Sequence, residues 1–265
     1  MEKVISFRDI KLPYLTEGKG QVIVFLHGYL ESGEIWDPFY RRFTGNRKVI
    51  IPDLPGHGKS GTWGEIHRME ELAEAVVAVL DAEHAGRACV LGHSMGGYVA
   101  MAFAAAFPQR LSGLGLIHST CFADSEEKKL NRDREIALVK CGKKQQIISV
   151  NIPRAFSDTH LESFASEIDR AKQIALKTPD EGMIALLNGM KVRPDHSAVL
   201  AALKVPLMLV GGARDNYIPE AVFSRLSELN RDGKVVRLPE SGHMGFVEEP
   251  ETLYRELEQF LKECQ

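Results

Sequence analysis

The sequence predicts an α/β fold in which helices cover both faces of an open, doubly wound and mostly parallel sheet. Three observations predict it: short β-rich segments alternate with helical ones, several of these segments are apolar on consecutive residues, and strand follows helix for most of the length. Consecutive apolar residues are typical of parallel strands buried on both faces. Since parallel neighbours need a crossover connection, the alternation favours right-handed β–α–β units.

Six strands are predicted from the apolar segments, at residues 22–26, 49–51, 88–91, 114–117, 205–210 and 235–238. Four helices lie between or after them, at residues 69–84, 96–107, 219–229 and 250–261. In the first helix Leu72, Val76 and Leu80 share one face, as expected of a helix packed on a sheet. The second is rich in small residues and ends before Pro108, which cannot continue a helix.

Residues 122–199 break this alternation because they carry only helical patterns. A charged helix is predicted at 126–141, and Thr178-Pro179-Asp180-Glu181 is typical of a helix start with proline in the first turn. The sequence therefore predicts a helical cap (122–199) inserted after the strand at 114–117, which is counted as the sixth strand of the fold, in a core domain formed by residues 1–121 and 200–265. An independent second domain is the alternative.

Composition excludes several classes of protein. The 265 residues are 44% apolar and 26% charged, which excludes disorder, and the net charge of −3 gives no reason to expect nucleic acid or anionic lipid as a partner. Four scattered cysteines show no zinc-site spacing, which favours free thiols in a reducing cytosol and no bound metal. Since the N-terminus lacks a signal-peptide pattern and no apolar run approaches the ~20 residues that span a bilayer, a cytoplasmic protein without a membrane segment is expected.

The motif Gly92-His93-Ser94-Met95-Gly96 lies between a predicted strand and the small-residue helix. G-x-S-x-G at a strand–turn–helix junction is typical of a nucleophile elbow. In so tight a turn the flanking side chains would collide, and glycine removes the collisions and accepts strained dihedral angles. Ser94 is therefore the predicted nucleophile, with the N-terminus of a helix behind it to stabilise an oxyanion.

A serine hydroxyl needs a base near neutral pH, and an acid must orient that base. Among nine histidines, His243 is the best placed, because it lies in a glycine-flanked loop after the last predicted strand. Asp215 follows the strand at 205–210, and the order Ser94, Asp215, His243 is one of the known chain orders of such triads. Asp124, which follows the preceding strand, is the alternative acid.

Acyl transfer also requires hydrogen-bond donors for the oxyanion. One is predicted to be the backbone N–H of Met95, the residue after the nucleophile. The second is predicted to be the N–H of Tyr29, because Gly28 lets the chain turn sharply after the strand at 22–26.

With these motifs the chain resembles, over about residues 20–260, the α/β-hydrolase-fold enzymes of the esterase, lactonase and C–C hydrolase group. The matching segments are His27-Gly-Tyr29, Asp53-Leu-Pro-Gly-His-Gly-Lys-Ser60, Gly92-His-Ser-Met-Gly-Gly97, Gly212-Ala-Arg-Asp215 and Ser241-Gly-His243. The resemblance implies a Ser–His–Asp hydrolase without metal or organic cofactor, whose lid is the cap at 122–199. Because serine occupies the elbow, the chain is unlike haloalkane dehalogenases and epoxide hydrolases, whose nucleophile is a carboxylate.

Largely apolar side chains near these motifs are the predicted substrate-binding residues, chiefly Leu30, Trp36, Phe122, Phe156, Tyr217 and Met244. Such a set suits a small or medium acyl or aromatic ester better than a highly charged substrate. Three basic residues of the cap, Arg154, Lys191 and Arg193, are candidates for binding a substrate carboxylate, although long basic side chains on helices are mostly solvated.

The sequence therefore predicts a serine hydrolase that cleaves a small or medium carboxylic ester or lactone through an acyl-serine intermediate, with a small molecule as its only expected partner. Two alternatives use the same residues. One is C–C bond hydrolysis, or an elimination resembling that of a menaquinone-pathway synthase, on a carboxylated substrate. The other is ligand sensing, as in hormone receptors of this fold.

Overall fold

The computed structural model describes residues 1–264 and contains one sheet of eight strands in the order β1-β2-β4-β3-β5-β6-β7-β8. From β4 onward in that order, every neighbouring pair is parallel, whereas β1–β2 and β2–β4 are antiparallel. The predicted open, mostly parallel sheet is confirmed, with two N-terminal strands added. The strands are β1 (Glu2–Phe7), β2 (Ile10–Glu17), β3 (Gln21–Leu26), β4 (Arg47–Pro52), β5 (Ala88–His93), β6 (Leu111–Ile117), β7 (Leu207–Gly212) and β8 (Lys234–Leu238).

Within residues 1–264 there are ten α-helices and three short 3₁₀ helices, which lie between the strands or after the last one. The α-helices are α1 (Met69–Ala82), α2 (Met95–Ala106), α3 (Glu126–Lys140), α4 (Lys144–Arg154), α5 (Ala165–Leu176), α6 (Asp180–Val192), α7 (Ser197–Ala201), α8 (Glu220–Glu228), α9 (Gly245–Glu248) and α10 (Pro250–Leu261). The 3₁₀ helices are Gly33–Trp36, Phe39–Phe43 and Pro108–Arg110.

Both faces of the sheet are buried, because alternate strand residues enter two different hydrophobic clusters. In β3, Val24 and Leu26 pack with α1, α2 and α8, whereas Ile23 and Phe25 pack with α10 and the first two 3₁₀ helices. Helix α2 is itself buried from Met95 through Ala104, which explains why its residues are small. The doubly wound arrangement follows from this two-sided burial.

Five helices, α3–α7, lie between β6 and β7, at the predicted place. Helix α3 begins where predicted, since Ser125 accepts a hydrogen bond from the N–H of Lys128 at 3.2 Å, and Pro179 precedes the first residue of α6. Helices α4 and α7 were not predicted. Helix α3 packs against α6, α4 against α5, and α7 against α2 of the sheet-covering layer.

The carboxyl ends of the parallel strands share one edge of the sheet, so the loops after β3, β5, β7 and β8 converge there. Those loops carry Tyr29, Ser94, Asp215 and His243. Among the described residues, no helix has both the length and the apolar composition that crossing a bilayer requires.

Candidate active site

Ser94 occupies the turn between β5 and α2 in a strained backbone conformation, with φ 50° and ψ −116°. Positive φ is rare outside glycine, and such strain persists only where neighbouring structure enforces it. Here the Ser94 N–H donates to the carbonyl of Ile117 at 3.0 Å, and its own carbonyl accepts from the N–H of Gly97 and from Ser119 Oγ. These bonds fix the turn that presents the serine side chain above the sheet.

The glycines on either side of Ser94 are required by close backbone contacts. A Cβ on Gly92 would lie 2.3 Å from the carbonyl oxygen of Gly96. A Cβ on Gly96 would lie 2.4 Å from the carbonyl oxygen of Leu26. Since the obstructing atoms are backbone, no rotamer change relieves either contact.

Asp215 and His243 form a buried hydrogen-bonded pair, although 28 residues separate them. His243 Nδ1 lies 2.8 Å from Asp215 Oδ2 and 3.0 Å from Oδ1. Oδ1 also accepts hydrogen bonds from the backbone N–H groups of Tyr217 and Ile218. Burial by itself would raise the pKa of Asp215, but His243 and a second buried histidine, His118, hold it well below its ordinary value. The carboxylate is therefore ionised, and it holds the proton of His243 on Nδ1, which leaves Nε2 as the basic nitrogen.

The alternative acid, Asp124, has other partners. Its carboxylate accepts from Arg132 and lies 2.7 Å from Arg193 Nη1, and its side chain is fully buried. Burial would raise its pKa, yet the two guanidinium groups lower it. Asp124 thus belongs to an ion-pair network that joins the start of α3 to the end of α6.

Two backbone N–H groups near Ser94 are free to donate. Within residues 1–264, neither the N–H of Met95 nor that of Tyr29 has a protein acceptor. Met95 is the first residue of α2, where helix N–H groups have no intrahelical partner. The N–H groups of the residues on either side of Tyr29 do have partners, since Gly28 N–H donates to Glu31 and Leu30 N–H donates to His57 Nε2.

A buried ion pair that the sequence did not predict lies behind this pair of donors. Glu31 Oε2 lies 3.0 Å from His93 Nδ1, and His93 Nε2 lies 2.9 Å from the carbonyl oxygen of His243. Burial disfavours both charges, but the partner's charge and the hydrogen bonds together outweigh it, so the pKa of His93 is raised and that of Glu31 is lowered. The position of His93 inside the elbow motif was the one feature of the sequence that could have indicated a functional role for this histidine.

A second histidine, His118, also contacts the carboxylate of Asp215. Its Nδ1 lies 3.1 Å from Asp215 Oδ2, and its Nε2 accepts the N–H of Gly245 at 3.2 Å. The nitrogen and oxygen atoms of His118, Asp215 and His243 lie within 4.8 Å of one another, a separation compatible with a metal ion. Because the two Nδ1 atoms donate to the carboxylate and Nε2 of His118 is used by Gly245, hydrogen bonds already account for this cluster.

The site opens into a cavity of about 780 Å³ that Ser94 and His243 both line. Of the six predicted substrate-binding residues, Leu30, Phe156, Tyr217 and Met244 line it, together with residues of α3 and α4.

Trp36 and Phe122 do not line the cavity. The ring of Trp36 is fully buried and packs against Phe25 and Phe246, with centroids 5.0 and 4.4 Å apart, because the first 3₁₀ helix turns it behind the sheet. The ring of Phe122 is covered by the guanidinium of Arg225 at 4.2 Å.

The cavity wall is more charged than predicted, because α3 contributes Lys128, Arg132 and Glu135. Among the three proposed carboxylate-binding residues only Arg154 lines it, with its guanidinium 5.3 Å from the centre of the Tyr217 ring. The burial of Arg132 was not predicted, since a charged helix on its own favours solvent exposure.

The other two candidates point elsewhere. Lys191 pairs with Asp133 near the surface. Arg193 is buried, pairs with Asp124 and lies 3.8 Å over the ring of Tyr98.

Comparison with known proteins supports one family over most of the chain. A model of the alpha/beta hydrolase fold matches residues 21–250. The chain is 30% identical over 247 residues to the "Dihydrolipoyllysine-residue acetyltransferase component of acetoin cleaving system" of Pseudomonas putida. The matched region covers 92% of this chain and 64% of that protein. It is 28% identical to the pimeloyl-[acyl-carrier protein] methyl ester esterase of Pectobacterium carotovorum, over 91% of this chain and 94% of that protein.

Two solved structures show the same architecture. A thermophilic esterase from Thermogutta terrifontis superposes with a TM-score of 0.93 at 28% identity and covers 100% of this chain and 99% of its own. The enol-lactonase from Burkholderia xenovorans LB400 has a TM-score of 0.91 at 20% identity, and the superposition covers 98% of this chain and 100% of the lactonase. At this identity the likeness is one of fold alone. Together with the family match, these findings establish that the chain belongs to the alpha/beta hydrolase fold family.

Proposed function

We propose that the protein is a serine hydrolase that cleaves a small or medium carboxylic ester or lactone through an acyl-serine intermediate. The observation that carries the proposal is the shared cavity. Ser94 on a strained turn, Tyr29 and His243 all line it, and His243 is hydrogen-bonded to the buried Asp215. Relatives of similar length that are named as esterases support an ester as the bond that is cleaved.

In the proposed reaction His243 Nε2 takes the proton of Ser94 Oγ as that oxygen attacks the ester carbonyl carbon. The carbonyl oxygen becomes an oxyanion that accepts hydrogen bonds from the free N–H groups of Tyr29 and Met95. The tetrahedral intermediate collapses, its C–O bond to the alcohol breaks, and the alcohol leaves with the proton from His243. Water then attacks the acyl-serine by the same steps, which releases the acid and restores Ser94.

In this proposal residues 122–199 act as a cap over a core domain formed by residues 1–121 and 200–265. Helices α3 and α4 of the cap line the cavity together with residues of the loops that follow the strands. A cap of this kind excludes water from the reacting groups and selects the substrate, since its side chains form much of the wall.

The test is hydrolysis of a panel of acyl p-nitrophenyl esters and lactones by the wild type, Ser94→Ala and the exposed-serine control Ser149→Ala. We expect Ser94→Ala to lower kcat by a factor on the order of 10⁴–10⁶ and Ser149→Ala to be unaffected. A fluorophosphonate probe should label Ser94 alone, as read by peptide mass spectrometry. Labelling at another residue, or turnover that survives in Ser94→Ala, would refute the proposal.

A second candidate, C–C bond hydrolysis or elimination on a carboxylated substrate, is favoured by one observation. Three arginines, Arg132, Arg134 and Arg154, line the cavity. The first is already paired with Asp124, which weakens the argument for anion binding. Comparing kcat/KM for neutral p-nitrophenyl esters and for carboxylated vinylogous diketones discriminates the two reactions, because ester hydrolysis requires no charged anchor.

A further inference from the structure

His118 is a buried histidine for which the proposed reaction has no role. It directly follows β6, the strand between β5, which leads to Ser94, and β7, which leads to Asp215. Its side chain is fully buried, its backbone has a φ of 48°, and its N–H donates to the carbonyl of Val210 at 2.8 Å. A non-glycine residue held in the left-handed region points to a constraint on where this ring lies.

Hydrogen bonding determines the tautomer of the His118 ring. The N–H of Gly245 can only donate, and it points at Nε2 from 3.2 Å, so Nε2 carries no proton. The ring proton is therefore on Nδ1, which lies 3.1 Å from Asp215 Oδ2 and donates to it.

Burial keeps the His118 ring neutral, although three titratable groups surround it. They are Asp215 after β7, His243 after β8 with its ring centroid 5.7 Å away, and His93 at the end of β5 at 6.1 Å. Burial lowers the pKa of His118 to about 4, and the hydrogen bond and charge of Asp215 offset this only in part. At neutral pH the ring is thus a fixed donor and no competing base.

Asp215 Oδ2 consequently accepts two imidazole N–H groups, one from His243 at 2.8 Å and one from His118 at 3.1 Å. A donor on a carboxylate oxygen fixes its orientation and stabilises its charge, so less of that charge is available to a second partner. The same ring also holds Gly245, two residues beyond His243.

We propose that His118 is a positioning residue, which orients the Asp215 carboxylate towards the His243 ring and moderates its pull on the imidazolium. This inference rests on the proposed serine hydrolase. The two can be tested separately, because the hydrogen bonds of His118 form without a substrate.

Two substitutions separate the two bonds of the ring. In His118→Asn the amide nitrogen stands two bonds from Cβ, as Nδ1 does, so the donor to Asp215 is kept and the acceptor for Gly245 is lost. In His118→Gln the amide oxygen stands three bonds from Cβ, as Nε2 does, so the acceptor is kept and the donor is lost. Asparagine also tolerates positive φ better than most residues.

We expect His118→Gln to lower kcat about 10- to 100-fold with little change in KM, since a small misplacement of catalytic groups slows the chemical step. The acidic limb of its kcat/KM profile should move to higher pH, because a carboxylate without the second donor favours protonated His243. His118→Asn should recover most of the lost kcat and the wild-type profile. Each rate is divided by the concentration of active sites that react with the fluorophosphonate, so that misfolded protein does not lower the measured kcat.

A second readout is independent of turnover. The low-field ¹H NMR signal of the His243 Nδ1 proton should shift in His118→Gln and stay in place in His118→Asn. If the His118→Gln variant keeps the wild-type profile and proton signal, or if both variants lose kcat equally with equal falls in Tm, His118 only packs and the inference is wrong. If no ester is hydrolysed and Ser94 is not labelled, while the proton signal behaves as described, the serine hydrolase proposal fails and the positioning role stands.

Discussion

At the scale of single residues, Glu31 and His93 place a charge pair inside the protein directly behind the active site. Glu31 accepts from the N–H of Gly28 in the loop after β3, and His93 reaches the carbonyl of His243 in the loop after β8. The pair thus joins the three segments that carry Tyr29, Ser94 and His243, the proposed oxyanion donor, nucleophile and base. A buried pair of this kind contributes most to specificity of geometry, because desolvation offsets much of its attraction.

We predict that Glu31→Gln destabilises the protein by about 3–5 kcal/mol, since it leaves His93 buried without its counter-charge. The raised pKa of His93 contributes stability below its ordinary value of 6.5, and this is lost as pH rises through the folded value. The lowered pKa of Glu31 contributes above its ordinary value of 4.5, and this is lost as pH falls through the folded value. The difference between variant and wild type should therefore be largest between about pH 4.5 and 6.5.

Urea denaturation at a series of pH values measures this difference. Glu34→Gln is the matched control, because Glu34 pairs with Lys177 at the surface and should change stability by less than about 1 kcal/mol. A destabilisation that stays constant from pH 4 to 9 would show that packing, and not charge, holds Glu31.

The proposed catalytic residues could be chosen from the sequence because each follows a strand at the same sheet edge. Ser94, Asp215 and His243 each come directly after an apolar strand or its short loop, and one edge collects all such positions. The partners of Asp215 and His93 could not be found in this way. His118 and Glu31 lie 97 and 62 residues from the side chains they contact, and no local pattern encodes such pairs.

At the scale of elements, the strands that the sequence missed are those whose pattern differs from a parallel core. β2 has alternate buried residues, including Leu12 and Tyr14, and Pro13 between them argues against a strand. Its partner β1 is mostly exposed, so it lacks an apolar run. The alternation in β2 was the available signal for an antiparallel strand, whereas the buried strands needed only their continuous apolar residues.

The network around Asp124 connects the first and last long helices of residues 122–199. Arg132 of α3 and Arg193 just after α6 both bind this carboxylate, and Arg193 also donates to the carbonyl of Phe122 at 3.1 Å. Both guanidinium groups are largely buried, so neither has solvent as an alternative partner. The network therefore holds α3 against α6, and this structural use accounts for Arg193 without a substrate.

Arg193→Met is predicted to lower the free energy of unfolding by about 1.5–3 kcal/mol, the typical worth of hydrogen bonds to a charged group. Lys191→Met, two residues away, should cost less than about 1 kcal/mol because the Lys191–Asp133 pair is partly exposed. Thermal unfolding and ester kinetics are compared for both variants. A selective rise in KM for carboxylated esters without loss of stability in Arg193→Met would instead make Arg193 a substrate-binding residue.

At the scale of the whole molecule, residues 122–199 share their hydrophobic core with the sheet. One buried cluster joins Leu26 of β3 to Leu186 of α6, and the other joins Phe25 of β3 to Ile148 of α4. A domain that folds on its own would have its own core. We infer that the inserted helices and the sheet fold as one unit, which favours a cap over an independent second domain.

Gly189 in α6 lies against the segment before α1 with no room for a side chain, and this contact allows a final prediction. A Cβ added there would lie 1.7 Å from the carbonyl oxygen of His67, in the segment that precedes α1. The same segment is bonded to α6, since the N–H of His67 donates to the carbonyl of Ala185 at 2.9 Å. Because the obstructing atom is backbone, Gly189→Ala must move α6 away from the core.

Alanine is intrinsically better than glycine in a helix by about 0.8–1.0 kcal/mol, so helix propensity alone predicts that Gly189→Ala stabilises the protein. The contact predicts the opposite, a loss of about 1–3 kcal/mol from overpacking. We expect a lower Tm in a single transition and a higher KM for the longer acyl esters, while the fluorophosphonate still labels Ser94. Gly45→Ala is the matched control, because a Cβ at Gly45 meets nothing within 4 Å and its Tm should stay near that of the wild type. A Tm at or above wild type in Gly189→Ala would mean that α6 stands farther from the core in solution. The shared core would then no longer explain how the inserted helices are held against the sheet.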